Sequence, residues 1–225
     1  MRNIGSKLQM RQELLKHLET LEKLTYQKTF LKSSFTTPQT RLGVIIATAT
    51  IKIIGQTEEL LAAILEKKFF SSLAILRMIF EEVILITFLL SKLEKAKTLE
   101  QANHVLLRIS TGTASYAGRD GDIPKPYNIH ATLEEAEKYL SSVDESLKGI
   151  FEETYSFISD YVHPNAPSHF YFMRNYGVSK RIISPPTTEK DMKMLLNYAC
   201  MAVGLFIFSI QKLLAFDFDR LLEKS

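Results

Sequence analysis

Residues 73–92 read LAILRMIFEEVILITFLLSK. The stretch holds no Gly or Pro and no sustained polar–apolar alternation, so it reads as a helix and not as a strand. It is apolar on nearly every side, and a helix of that kind belongs in the middle of a bundle. The fold class follows from this segment: an all-α bundle built around it.

Helix punctuation surrounds it. Upstream, a first amphipathic helix is expected over residues 4–32, with Leu14, Leu15, Leu18, Leu21 and Leu24 as its apolar stripe. Thr37 and Pro38 supply an N-cap followed by proline at the first helical position. The second helix they open should end near Lys67 and Lys68, and Ser71 or Ser72 should cap the third. Downstream, Thr98 with Gln101 and Thr132 with Glu135 have capping-box spacing. They predict a fourth helix to about residue 117 and a fifth ended by Gly149. A sixth is expected over 150–162. The seventh starts at Thr188, with Asp191 as box partner, and continues to about residue 222. Two turn-rich loops, 118–130 and 164–187, interrupt the pattern, and neither is flanked by two self-sufficient cores. The reading is one all-α domain of six or seven helices over residues 1–225, in which the 1–33 helix packs on or extends from a 38–222 bundle.

Composition agrees. The 225 residues are 46% hydrophobic and 24% charged, enough to bury a core, which excludes a disordered tail. One cysteine, Cys200, forms no internal bridge, and no Cys/His spacing suits zinc, so a cytoplasmic location is expected. Residues 1–32 opens without the apolar core of a secretory signal. The eighteen uncharged residues 194–211 just reach the length of a membrane span, but a central helix of a bundle looks the same, and membrane association is the lesser reading. The net charge of +3 does not argue for nucleic acid by itself. Its distribution is dipolar, basic over 1–32 and 174–193 and acidic over 134–153, which suits an anionic ligand or the two faces of a dimer. Phosphate loops and nucleophile elbows are absent.

Two constellations carry chemistry. Arg77 and Glu81 lie four apart on one face of the apolar third helix. Charges there are costly unless paired or used. They read either as a pair fixing helix register or as a polar pocket offering Arg77 to an anion. The second constellation ends the sixth helix: Pro164 stops it at His163, where the helix dipole favours imidazolium. Ser159 and Asp160 stand one turn earlier, and Asp160 is placed to orient His163 for acid–base work. Arg174 and Arg181, interleaved with Tyr171, Phe172 and Tyr176, are the nearest approach to a nucleic-acid surface. Asp160 and His163 have half the spacing of a di-metal bundle, but no Glu-x2-His occurs, so neither metal nor cofactor is expected.

The motifs Leu76-Arg77-x3-Glu81 and Tyr155-x3-Ser159-x2-Val162-His163-Pro164 resemble a widespread, uncharacterised prokaryotic all-α family. That family is distantly similar to the HEPN group, many of whose members are dimeric ribonucleases of toxin–antitoxin or phage-defence systems, while others only bind nucleotides or partners. The resemblance implies a homodimer with RNA, a nucleotide or a cognate protein as partner. Active HEPN members carry Arg-x4–6-His, and here Ser156, Phe157 and Ile158 stand where that Arg would be. The formal match Arg11 to His17 lies on the first helix without polar surroundings. The missing Arg favours a non-catalytic binding module, with Ser159, Tyr155, Asn165, Arg174 and Arg181 as binding residues. The alternative is a metal-independent ribonuclease using His163 and Arg77, with Glu81 and Asp160 in support.

Overall fold

A computed structural model of the chain describes residues 2–26, 37–111, 127–162 and 188–222. Among the described residues there are eight α-helices, one 3-10 turn and no strand, so the protein is all-α. The helices are α1 (Arg2–Tyr26), α2 (Pro38–Leu65), α3 (Phe69–Lys95), α4 (Leu99–Thr111) and α5 (Ile129–Val143). The 3-10 turn Glu145–Leu147 follows, then α6 (Ile150–Val162), α7 (Glu189–Leu214) and α8 (Asp219–Leu222).

The third helix is the axis of the bundle. Leu73, Leu76, Ile79, Phe80, Val83, Ile84, Ile86 and Leu89 are fully buried along it. It packs against α2, α4, α5, α6 and α7, which together surround it. This is why it is apolar on so many sides. Across its C-terminal half, Thr87 and Ser209 share a hydrogen bond of 3.0 Å, both fully buried, joining α3 to α7. The first helix lies on α7 and α2 through Leu14, Leu18 and Leu21. Buried side chains from α1 through α8 form one contiguous cluster. Among the described residues α7 is the helix long and apolar enough to cross a membrane, yet half of its apolar window is buried against its neighbours.

Several ends form as the residue types dictate. Thr37 Oγ1 accepts from the Thr40 amide at 3.2 Å, with Pro38 in the first turn. At α7 both halves of the capping box are made: the Asp191 amide donates to Thr188 Oγ1 and the Thr188 amide to Asp191 Oδ2. Thr98 accepts from the Gln101 amide, although Gln101 reaches back to the Lys97 amide and not to that of Thr98.

Others depart from the sequence reading. The third helix begins at Phe69, ahead of both candidate serines, and Ser72 Oγ donates to the Lys68 carbonyl at 2.8 Å. Main-chain bonds decide this end, because α2 closes in a Schellman turn: the Lys67 amide reaches Ile64 O at 3.0 Å and the Lys68 amide reaches Ala63 O at 2.9 Å. The fifth helix is capped by Asn128, whose Oδ1 accepts from the His130 amide at 2.8 Å. Thr132 is buried in the first turn and donates to Ile129 O, so it is not the cap. Nor does Gly149 end this helix. It stops at Val143, and Gly149, at φ +86°, turns the chain into α6. The Glu137 carboxylate then caps α6, accepting from the Gly149 amide and from the Phe151 amide at 2.9 Å. The last long helix ends at Leu214, where buried Phe218 and the Phe216–Phe218 edge contact hold a bend before α8.

Candidate functional site

Arg77 and Glu81 of the central helix face α6 across a short gap. Arg77 Nε donates to Glu81 Oε1 at 3.0 Å, the contact that an i,i+4 spacing allows. Arg77 Nη2 donates to the Tyr155 hydroxyl at 3.0 Å, and that hydroxyl donates in turn to Glu81 Oε1 at 3.1 Å. The three side chains close a ring of hydrogen bonds. The guanidinium carbon also stands 5.3 Å from the Tyr155 ring centre, within cation–π range. Tyr155 is buried, while the Arg77 and Glu81 side chains keep 21% and 39% of their exposure. The cluster therefore lies at the edge of the bundle and not in its interior. Burial opposes the charge on Arg77, but its bonds to Tyr155 and Glu81 outweigh that and hold the guanidinium above its ordinary value.

One turn beyond Tyr155 on the same helix is Ser159. Its Oγ is buried and has no hydrogen-bond partner among the described residues. Asp160 is exposed. His163, Asn165, Arg174 and Arg181 lie outside the described residues, which end α6 at Val162. Of the residues singled out from sequence, Arg77, Glu81 and Tyr155 are thus brought into contact. The ring they form is arranged to hold α6 against α3 and to fix the direction of the guanidinium.

A second polar region, which sequence reasoning missed, adjoins the ring. Glu82 is buried beside Glu81, and its Oε2 accepts from Lys52 Nζ on α2. One turn along α2 from Lys52, Gln56 is buried, and its Oε1 lacks a partner among the described residues. The signal was present: a second carboxylate in an apolar helix needs a partner as much as the first, and Lys52 and Gln56 share the i,i+4 spacing. These residues border a cavity of about 400 Å³ between α2, α3 and the start of α5. Among the described residues that line it, two carboxylates, Glu81 and Glu82, stand against one lysine, which does not favour phosphate.

A third cluster joins α3 to α5. Glu135 accepts from Ser91 at 2.8 Å and pairs with Lys92 at 3.3 Å and with Lys95. These bonds, that of Lys95 foremost, lower its carboxyl to about pKa 2 against the opposing effect of burial. Nearby, Tyr139 donates to Glu94 at 3.0 Å. The Cys200 thiol is pushed up to about 11 by burial and by the charge of Glu13, so it is not disposed to act as a nucleophile. Among the described residues no group of three or more His, Cys, Asp and Glu is gathered to hold a metal ion. Comparison of the chain with protein-family models, curated proteins and solved structures finds no match.

Proposed function

We infer that the protein is a HEPN-like, non-catalytic binding module, cytoplasmic and homodimeric, that takes RNA, a nucleotide or a cognate protein as its partner. A place in toxin–antitoxin or phage-defence systems belongs to the same reading. The observation that carries it is the closed ring of Arg77, Glu81 and Tyr155. An arginine that stabilises a phosphorane must present its N–H fork to phosphate. Here Nε and Nη2 are spent on a carboxylate and a phenol, and Glu81 sets a negative charge beside any approaching phosphate. The arrangement supports a clamp that holds α6 against α3, so that the C-terminal end of α6 is presented from a firm base. His163, Asn165, Arg174 and Arg181, which follow α6 in the sequence, are the residues assigned to the partner, together with Ser159 and Asp160 of that helix.

The test has two arms. RNA from cells expressing the wild type, His163→Ala or Arg77→Ala should be intact in all three. RNA fragmented by the wild type alone would replace this reading with a ribonuclease in which both residues act. In the second arm, RNA retention by the purified chain should fall steeply with salt and weaken in Arg174→Ala and Arg181→Ala, as phosphate contacts require. Failure to retain RNA or mononucleotide at low salt would leave a protein as the partner.

A further inference from the structure

The outward side of α2 is apolar for most of its length. Between Leu42 and Thr57 the only charged residue is Lys52. Helices α1, α3, α4 and α7 pack on the rest of α2 and leave one side uncovered. Val44, Ala47, Ile51, Ile54, Ala62 and Leu65 follow one another along that side at helical spacing, each at least partly exposed, Ile51 at 63% and Leu65 at 62%. Surface helices turn polar residues outward, and a helix that is apolar on every side is normally covered. The uncovered row is about 33 Å long at the rise of an α-helix. Near its middle stands Gly55, where an added Cβ would meet nothing within 4 Å, so a second backbone has room to approach. Met78 of α3, also exposed, extends the apolar surface on the flank of Lys52.

We propose that this face pairs with the same face of a second copy of the chain, the two α2 helices lying antiparallel about a two-fold axis near Gly55. The proposal rests on the homodimer of the reading above and assigns its interface. The row is nearly symmetric about Gly55, as an interface that contacts its own copy requires. Val44 and Leu65 stand at its two ends with Ala47 and Ala62 one turn inside them, so that across the axis large meets large and small meets small. Charge fits the same arrangement. Glu59 is exposed, has no ion pair among the described residues and lies on the same flank as Lys52, two turns away. Antiparallel helices bring Glu59 of each copy beside Lys52 of the other. Lys52 is 55% exposed and bonds to Glu82 on its own chain, which leaves further N–H groups for a second carboxylate. Parallel helices would set like charges together instead. A lipid surface fits poorly, because Glu58 interrupts the row, whereas beside a second helix its stem can pack while the carboxylate reaches water.

Sedimentation equilibrium of the full chain should show a dimer at about 100 µM, above the micromolar constants that small interfaces reach. Ile51 and Leu65 bury little in the single chain. Ile51→Glu and Leu65→Glu should therefore keep the wild-type helical circular dichroism and cooperative melt, yet dimerise about tenfold more weakly or worse. Ile51→Lys, which falls opposite Glu58, should weaken the dimer less than Ile51→Glu. Ala47→Cys and Ala62→Cys, each in a Cys200→Ser background, should form a disulfide-linked dimer on mild oxidation when mixed, and not when each is alone. Should a glutamate variant misfold, the cysteine pair decides alone. A dimer unchanged by both glutamate variants, or linkage of Ala47→Cys to itself as readily as to Ala62→Cys, would overturn this interface and leave the homodimer standing. A monomeric wild type at that concentration would overturn both.

Discussion

An arginine inside an apolar helix is tolerated only on terms that its neighbours set, and Arg77 shows what they are. Its charge is satisfied by one carboxylate four residues away and by one hydroxyl seventy-eight residues away in sequence. The first partner is legible from spacing alone, because every helix brings i and i+4 together. The second is not, since Tyr155 reaches Arg77 only after α6 has packed on α3. What the sequence offered for Tyr155 was a position in a motif, without the contact that explains it. The hydroxyl both accepts from Arg77 and donates to Glu81, so Tyr155→Phe removes two hydrogen bonds while leaving the ring in place. We expect a loss of about 1–2 kcal/mol in urea denaturation. Arg77→Ala should cost more, because it removes the cation that both Glu81 and Tyr155 contact. Equal stability of Tyr155→Phe and wild type would show that the ring of bonds contributes nothing beyond packing.

Helix ends divide into those fixed by adjacent residues and those fixed by what the side chains meet across the bundle. Thr188 is exposed and Asp191 half-buried in the first turn, and the box forms as spaced. Thr132 and Glu135 have an equally good spacing, but burial claims the threonine and three α3 side chains claim the glutamate. Asn128, four residues earlier, then becomes the cap. Local pattern names the candidates, and tertiary contact chooses among them. The turn between α2 and α3 carries a different cost. Lys67 holds φ +58° at the Schellman position that glycine fills most easily. An L side chain there costs about 1–2 kcal/mol, so Lys67→Gly should raise stability by about 0.5–1 kcal/mol once the added freedom of the unfolded chain is set against it. The urea midpoint should rise with an unchanged m-value, and a fall in the midpoint would mean that the lysine side chain contributes more than its backbone strain costs.

At the scale of the whole molecule the arrangement follows from one helix. Because α3 is apolar on most sides, five others cover it, and that much was readable in residues 73–92. Long-range pairings were not readable, such as Lys52 with Glu82 or Glu135 with Lys92 and Lys95, since sequence gives no register between helices that loops join. Such pairings nonetheless set how the bundle responds to pH. The Glu135 carboxyl is lowered from its ordinary 4.5 to about 2 in the folded protein. A group whose folded pKa is depressed adds stability above its unfolded pKa, and the contribution is lost as pH falls toward the folded value. The α3–α5 contact should therefore be at full strength above about pH 5 and weaken progressively between pH 4.5 and 2. Both lysines are partly exposed and water screens them, so the contribution is about 1 kcal/mol. Glu135→Gln keeps the shape and the Ser91 bond but removes the charge. Its deficit against wild type should be constant from pH 5 to 7 and shrink toward zero near pH 2, as read from urea midpoints across that range. A deficit that persists undiminished at pH 2 would assign the loss to hydrogen-bond geometry, and the ion pairs between α3 and α5 would then play no part in acid stability.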